Sequence, residues 1–169
     1  MAADFDNVVG GPADFQLAST SVGHTAGGIE ATISPQNRPV NVDKFGVGEC
    51  NIRHTGDEVR MNVPFAEWVA AQIAEVYEPG NDQTAAGTTP YMGIGRSAGY
   101  IYTAQTADII PFLSADAAKK LIFNRVTPIG EFSLMFNSDD DRVFEVEYAC
   151  LIKEDETDGE LIGKIQVST

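Results

Sequence analysis

A chain of 169 residues with 43% hydrophobic content is the size of one domain and buries about 70% of the surface its unfolded form exposes. Acidic residues outnumber basic ones 25 to 11, a formal charge of -14, which argues against ordinary nucleic-acid binding because phosphate contacts need clustered Lys and Arg. The opening MAADFDNVVGG lacks a basic segment followed by an apolar one, and no stretch nears the roughly 18 apolar residues of a membrane span. A soluble protein is expected. Cys50 and Cys150 form no Cys-x-x-Cys pair and are expected as two buried reduced thiols.

In chain order, DFQL turns Phe15 and Leu17 inward. GGIEATIS sets Ile29, Ala31 and Ile33 against Glu30, Thr32 and Ser34, and PVNVD turns Val40 and Val42 inward. The polar stretch FGVGECNIRHTGD, 45–57, reads as a loop. EVRMNVPF then alternates Val59, Met61, Val63 and Phe65 with Glu58, Arg60 and Asn62, as a half-buried strand requires. From Phe65 the period changes. Phe65, Val69, Ile73 and Val76 form an apolar stripe flanked by Trp68 and Tyr77, and Pro79-Gly80 ends it, which predicts one amphipathic helix on the sheet.

The Gly- and Thr-rich stretch that follows predicts a long surface loop or an irregular hairpin. GYIYTA and EFSLMF are predicted strands, and SADAAKKLIF between them predicts a short helix with Ser114 at its N-cap. RVFEVEYACLI predicts the longest strand, with Phe144, Val146, Tyr148, Cys150 and Ile152 on one side and Val143, Glu145, Glu147 and Ala149 on the other. Asp158-Gly159 then suits a hairpin turn, and LIGKIQV returns with Leu161, Ile165 and Val167 alternating. About eight strands at this spacing make a mainly β chain, an antiparallel sandwich or barrel with one flanking helix.

Motifs for chemistry fail. GIGRSAG spaces Gly93, Gly95 and Gly99 one residue too long for a dinucleotide fingerprint. NSDDDR offers Asn137, Asp139 and Asp141 at calcium-loop spacing, but Arg142 occupies the glycine position. His24 and His54 stand on predicted loops without singled-out triad partners. Glu145 and Glu147 read as solvent-facing acids rather than a glycosidase pair. Neither enzymatic activity nor a cofactor nor a metal site is expected.

The order of elements carries more. A first strand leads into TAGGIEATISP, then VNVDKFGVGE, then TGDEVRMNVPFAEWVAAQIAEVY, and the chain ends on DRVFEVEYACLIKEDETDGELIGKI. In that order, over roughly residues 8 to 78 and 120 to 167, the chain resembles the tail tube (major tail) proteins of long-tailed bacteriophages. Asp43 is followed by Lys44 and Phe45 where that family commonly has a glutamine-like residue, and the loop from Pro79 to Gly99 follows no family pattern.

The resemblance implies a single tail-tube domain over 1–169, with an N-terminal arm (1–13) and an inter-ring loop (45–57). It implies a structural virion protein, assembled in the host cytoplasm, whose rings of six stack into a hollow tube. DNA would pass through the lumen without specific binding, and the other partners would be tape measure, terminator and baseplate or distal tail proteins. Glu30, Thr32, Glu145 and Glu147 are the expected lumen-facing residues, and Lys44, Arg53, Asp57 and Glu58 the expected inter-ring contacts. The same ring-forming fold serves contractile tails and secretion-system tubes. A tail terminator, a capsid decoration protein, or a small β-sandwich binding module or hydrolase are the remaining alternatives. A ring that never polymerises would mark the terminator or decoration protein, and a monomer with turnover or a ligand-filled pocket the binding module or hydrolase.

Overall fold

A computed structural model describes residues 11–41, 43–45, 49–67, 73, 81–82, 92–95, 97–113, 118–129 and 143–167. The chain is mainly β. In order the strands are β1 (Ala13–Leu17), β2 (Thr20–Ser21), β3 (Glu30–Asn41), β4 (Glu49–Phe65), β5 (Asn81–Asp82), β6 (Met92–Gly93), β7 (Gln105–Pro111), β8 (Leu121–Ile129), β9 (Phe144–Cys150) and β10 (Gly163–Ile165). β5 and β6 pair with each other, and the rest form an eight-stranded antiparallel sheet in the order β2-β1-β7-β8-β9-β4-β3, with β10 on β8.

Alternation decides which face becomes the core. Phe15 and Leu17 of β1, Val59 to Phe65 on alternate positions of β4, and Phe144, Val146, Tyr148 and Cys150 of β9 are all buried, joined by Ala107 and Ile109 of β7 and by Phe123 and Val126 of β8. β1 and β4 lie four places apart in the sheet, with β7, β8 and β9 between them. Even so, the Phe15 ring lies 6.0 Å from that of Phe65 and 5.4 Å from that of Tyr148. The sheet therefore curls until its ends meet across the core, as an open barrel. The segment after β2 helps to close one end: Thr25 bridges to Phe65, Ala26 N–H donates to Pro64 O and Ala66 N–H to His24 O.

The predicted inward faces of DFQL, EVRMNVPF and 144–150 agree with this core. The mainly β, antiparallel architecture is as expected, and eight of its strands belong to one sheet. The helix of 65–80 is not borne out: Phe65 is the last residue of β4, Ile73 packs on the core, and Trp68, Val69, Val76 and Tyr77 lie outside the described residues. The helix in SADAAKKLIF fails at its end, since Leu121 to Phe123 open β8; Ser114 lies outside the described residues. GYIYTA is not a strand, and β7 begins just after it at Gln105. EFSLMF, Val42 and NSDDDR lie outside the described residues.

The longest strand is β4, with 17 residues, not β9, with 7. No closing hairpin forms on β9 either. β9 runs along β8 from Ile129 to Val126, and β10 takes the same line from Phe123 to Leu121 after an excursion through 151–162. Both ends of that excursion are tied to β8: Leu151 N–H donates to Arg125 O, and Asn124 N–H to Ile162 O. The turn chemistry at Asp158-Gly159 holds, with Gly159 at φ 92°. At Gly163 a Cβ would meet the Ile122 carbonyl oxygen, so the close approach of β10 to β8 requires glycine. Ile152, Ile165 and Val167 are exposed rather than buried; Ile165, opposite Leu121, keeps the inner side, but it and Ile152 line an open groove there.

Candidate functional site

The described surface offers three distinct features: an acidic outward face, a projecting arm and an apolar groove at the arm's root. The outward face follows from β4 lying between β3 and β9. In register, Glu30 faces Asn62 and Thr32 faces Arg60 on one side, while Asn62 faces Glu147 and Pro64 faces Glu145 on the other. Glu30, Thr32, Glu145 and Glu147, expected at a lumen, are thus brought onto one shallow concavity of about 340 Å³, completed by Arg60, Met61 and Asn62.

At its centre Arg60 lies 2.8 Å from Glu58 and 3.7 Å from Glu147, and Asn62 Nδ2 donates to Glu145 Oε2 at 3.3 Å. Solvent-exposed pairs of this kind contribute at most about 1 kcal/mol each. Glu30, Glu58, Glu145 and Glu147 on this face against the single guanidinium of Arg60 leave it net negative. The central role of Arg60 was missed from sequence, although its outward phase in EVRMNVPF was the available signal.

The arm is the continuation of β3 and β4 past the sheet. β9 pairs with β4 only from Val59 to Phe65, whereas β3 follows β4 out to Asn41 and Glu49. Residues 35–41 and 49–55 are exposed apart from a half-buried Val40, so a two-stranded ribbon roughly 25 Å long projects into solvent. The polar stretch expected as a loop over 45–57 is therefore mostly strand, and His54 lies on it. Bulges interrupt the ribbon between Gln36 and Asn37 and between Val40 and Asn41; at the first, Thr55 Oγ1 donates to Gln36 O at 2.9 Å.

The four residues expected at ring contacts do not converge. Lys44 sits in the 3-10 turn Asp43–Phe45 at the tip, and Arg53 lies on the ribbon directly opposite Arg38. Asp57, at the root, lies 3.2 Å from His54, and Glu58 belongs to the acidic face beside Arg60. Cys50 is exposed on the arm, which corrects the expectation of two buried thiols; Cys150, the last residue of β9, is buried. His24 is exposed, 3.4 Å from Glu67.

At the arm's root, where β9 has ended and β10 has begun, the inner face opens into a groove of about 870 Å³. Its floor is apolar, built from Ile33, Val59, Leu121, Phe123, Ile162 and Ile165, and the returning limb of the excursion walls it with Asp158 and Glu160, joined by Lys164 of β10, 3.7 Å from Glu160. No protein-family model matches the chain, and a search of curated proteins found no match. Among the described residues, no group of three or more His, Cys, Asp or Glu is placed to hold a metal ion, and no helix is long and apolar enough to cross a membrane.

Proposed function

We propose that this chain is the subunit of a hollow tube, closing head-to-tail into rings of six that stack into the tail tube of a long-tailed phage, with DNA passing through the bore. The observation that carries the reading is an antiparallel sheet that curls without closing. Among the described residues β3 pairs only with β4, which leaves a 12-residue edge strand, and at the other end the two-residue β2 covers only part of β1. A long unpaired edge is normally a liability, and lateral joining to a sister copy satisfies its backbone groups. Two unlike edges give a head-to-tail contact, the kind that generates rings.

The acidic face fits the same reading. It lies on the outward side of β3, β4 and β9, next to the open edge, and repeated around a ring it would line a bore with carboxylates. Within a Debye length of about 8 to 10 Å those charges repel a passing polyanion. Negative-stain microscopy of the purified protein at high concentration tests the proposal. Rings of six or hollow filaments are expected; a protein that stays monomeric at every concentration overturns it.

A further inference from the structure

The arm and the groove complement each other in shape and in charge. Cross-strand partners share a face of a ribbon, so Pro39 and Ile52 project to the core side and Arg38 and Arg53 to the opposite side. Ile52 is 64% exposed, a large apolar side chain held in solvent on a polar ribbon. Arg38 and Arg53, directly opposed with like charges, destabilise an isolated ribbon unless an acidic partner meets them. The groove presents the counterparts, with Ile33 50% and Ile165 63% exposed over the floor. Asp158 and Glu160 stand on its wall, and the exposed 3.7 Å pair of Glu160 with Lys164 is weak enough for an incoming guanidinium to compete with it.

We propose that the groove at the root of the β3–β4 arm receives the arm of a second copy of this chain, with Pro39 and Ile52 on the apolar floor and Arg38 and Arg53 against Asp158 and Glu160. The arm cannot fold back into its own groove, since His54 to Asp57, the start of the arm, form part of that groove's lining. Each copy therefore gives one arm and receives another, and where the exchange is not reciprocal this builds a linear repeat. The inference deepens the tube reading, resting on it for the stacking direction, and names the surface that receives the arm.

Charge reversal tests the pairing. All four charged residues are exposed, so the variants keep the fold, which circular dichroism and thermal unfolding verify. Arg38→Glu with Arg53→Glu, and separately Asp158→Lys with Glu160→Lys, are expected to weaken self-association at least tenfold by sedimentation velocity. Combining all four substitutions in one chain is expected to restore it. Ile52→Asp alone should weaken it likewise.

Wild-type-like association of either double variant, or failure of the combined variant to recover, overturns the inference. Microscopy on the same samples separates it from the tube reading. Rings of six whose stacking ignores these substitutions sink the arm-in-groove contact alone. Open chains of copies that respond to the swaps but never close into rings support the contact and overturn the tube.

Discussion

Ala18 and Ser19 form the turn between β1 and β2 with φ of 47° and 67°, a left-handed conformation that costs non-glycine residues about 1 kcal/mol or more each. Replacing the pair by Asn-Gly is expected to raise the unfolding free energy by about 1 kcal/mol, read from denaturant melts; a loss of stability would mean that the turn is not strained. Cys150 supplies a second case. Burial, partly opposed by Arg60, pushes its thiol up to about 12 from 9.0.

A thiol held protonated in the fold but ionised in the unfolded chain contributes stability that is intact below about pH 9 and is lost as the pH rises toward 12. Thermal midpoints should therefore fall over that window, and Cys150→Ala should lessen the fall. Iodoacetamide should label exposed Cys50 in the native protein and reach Cys150 only after unfolding, since the thiolate is the reacting form.

Among the elements, the arm is the informative one. Its described residues bury almost nothing, so replacing 37–54 by a tight two-residue turn should leave the cooperative unfolding of the body within about 1 kcal/mol of the parent while removing self-association. A collapse of the body on calorimetry would show that the ribbon is part of the core fold. Pro35 and Pro39 lie on the edge strand of this ribbon and lack the N–H that an added strand would need, which limits indiscriminate pairing there.

Strands with one buried face were readable because burial imposes period two; 59–65 and 144–150 show it residue by residue. The arm was missed for the converse reason. With both faces in water, 49–57 has no apolar phase to read, and a polar ribbon looks like a loop. LIF at 121–123 was drawn into a helix because its apolar residues carry no period of their own, and pairing with β7 and β10 on its two sides settled it as strand.

For the whole molecule, the curl depends on side chains that meet from distant strands. Phe15 is fully buried between Tyr148 and Phe65, and Phe15→Ala is expected to cost about 3–5 kcal/mol. Chemical denaturation measures this, and a cost below about 1 kcal/mol would mean that the sheet holds its curvature without that contact. At the scale of the assembly, changing Glu30, Glu145 and Glu147 to Lys should slow or block genome ejection while tube length stays the same. Ejection at the parent rate would remove the proposed role of the acidic face.

By itself the amino-acid order determined the class of element and its buried face: a mainly β chain, alternating strands with a shared apolar side, and acids on the outward side of β3 and β9. Those properties are local, because a side chain's phase along an extended backbone is set every two residues. Only the tertiary structure decided that β10 joins β8 instead of β9, that the eight core strands form one curled sheet, that Arg60 sits between Glu58 and Glu147, and that an apolar groove opens where β9 ends. These outcomes depend on contacts between residues far apart in the chain, whose pairing follows from packing the core as a whole and leaves no periodic trace in any one segment.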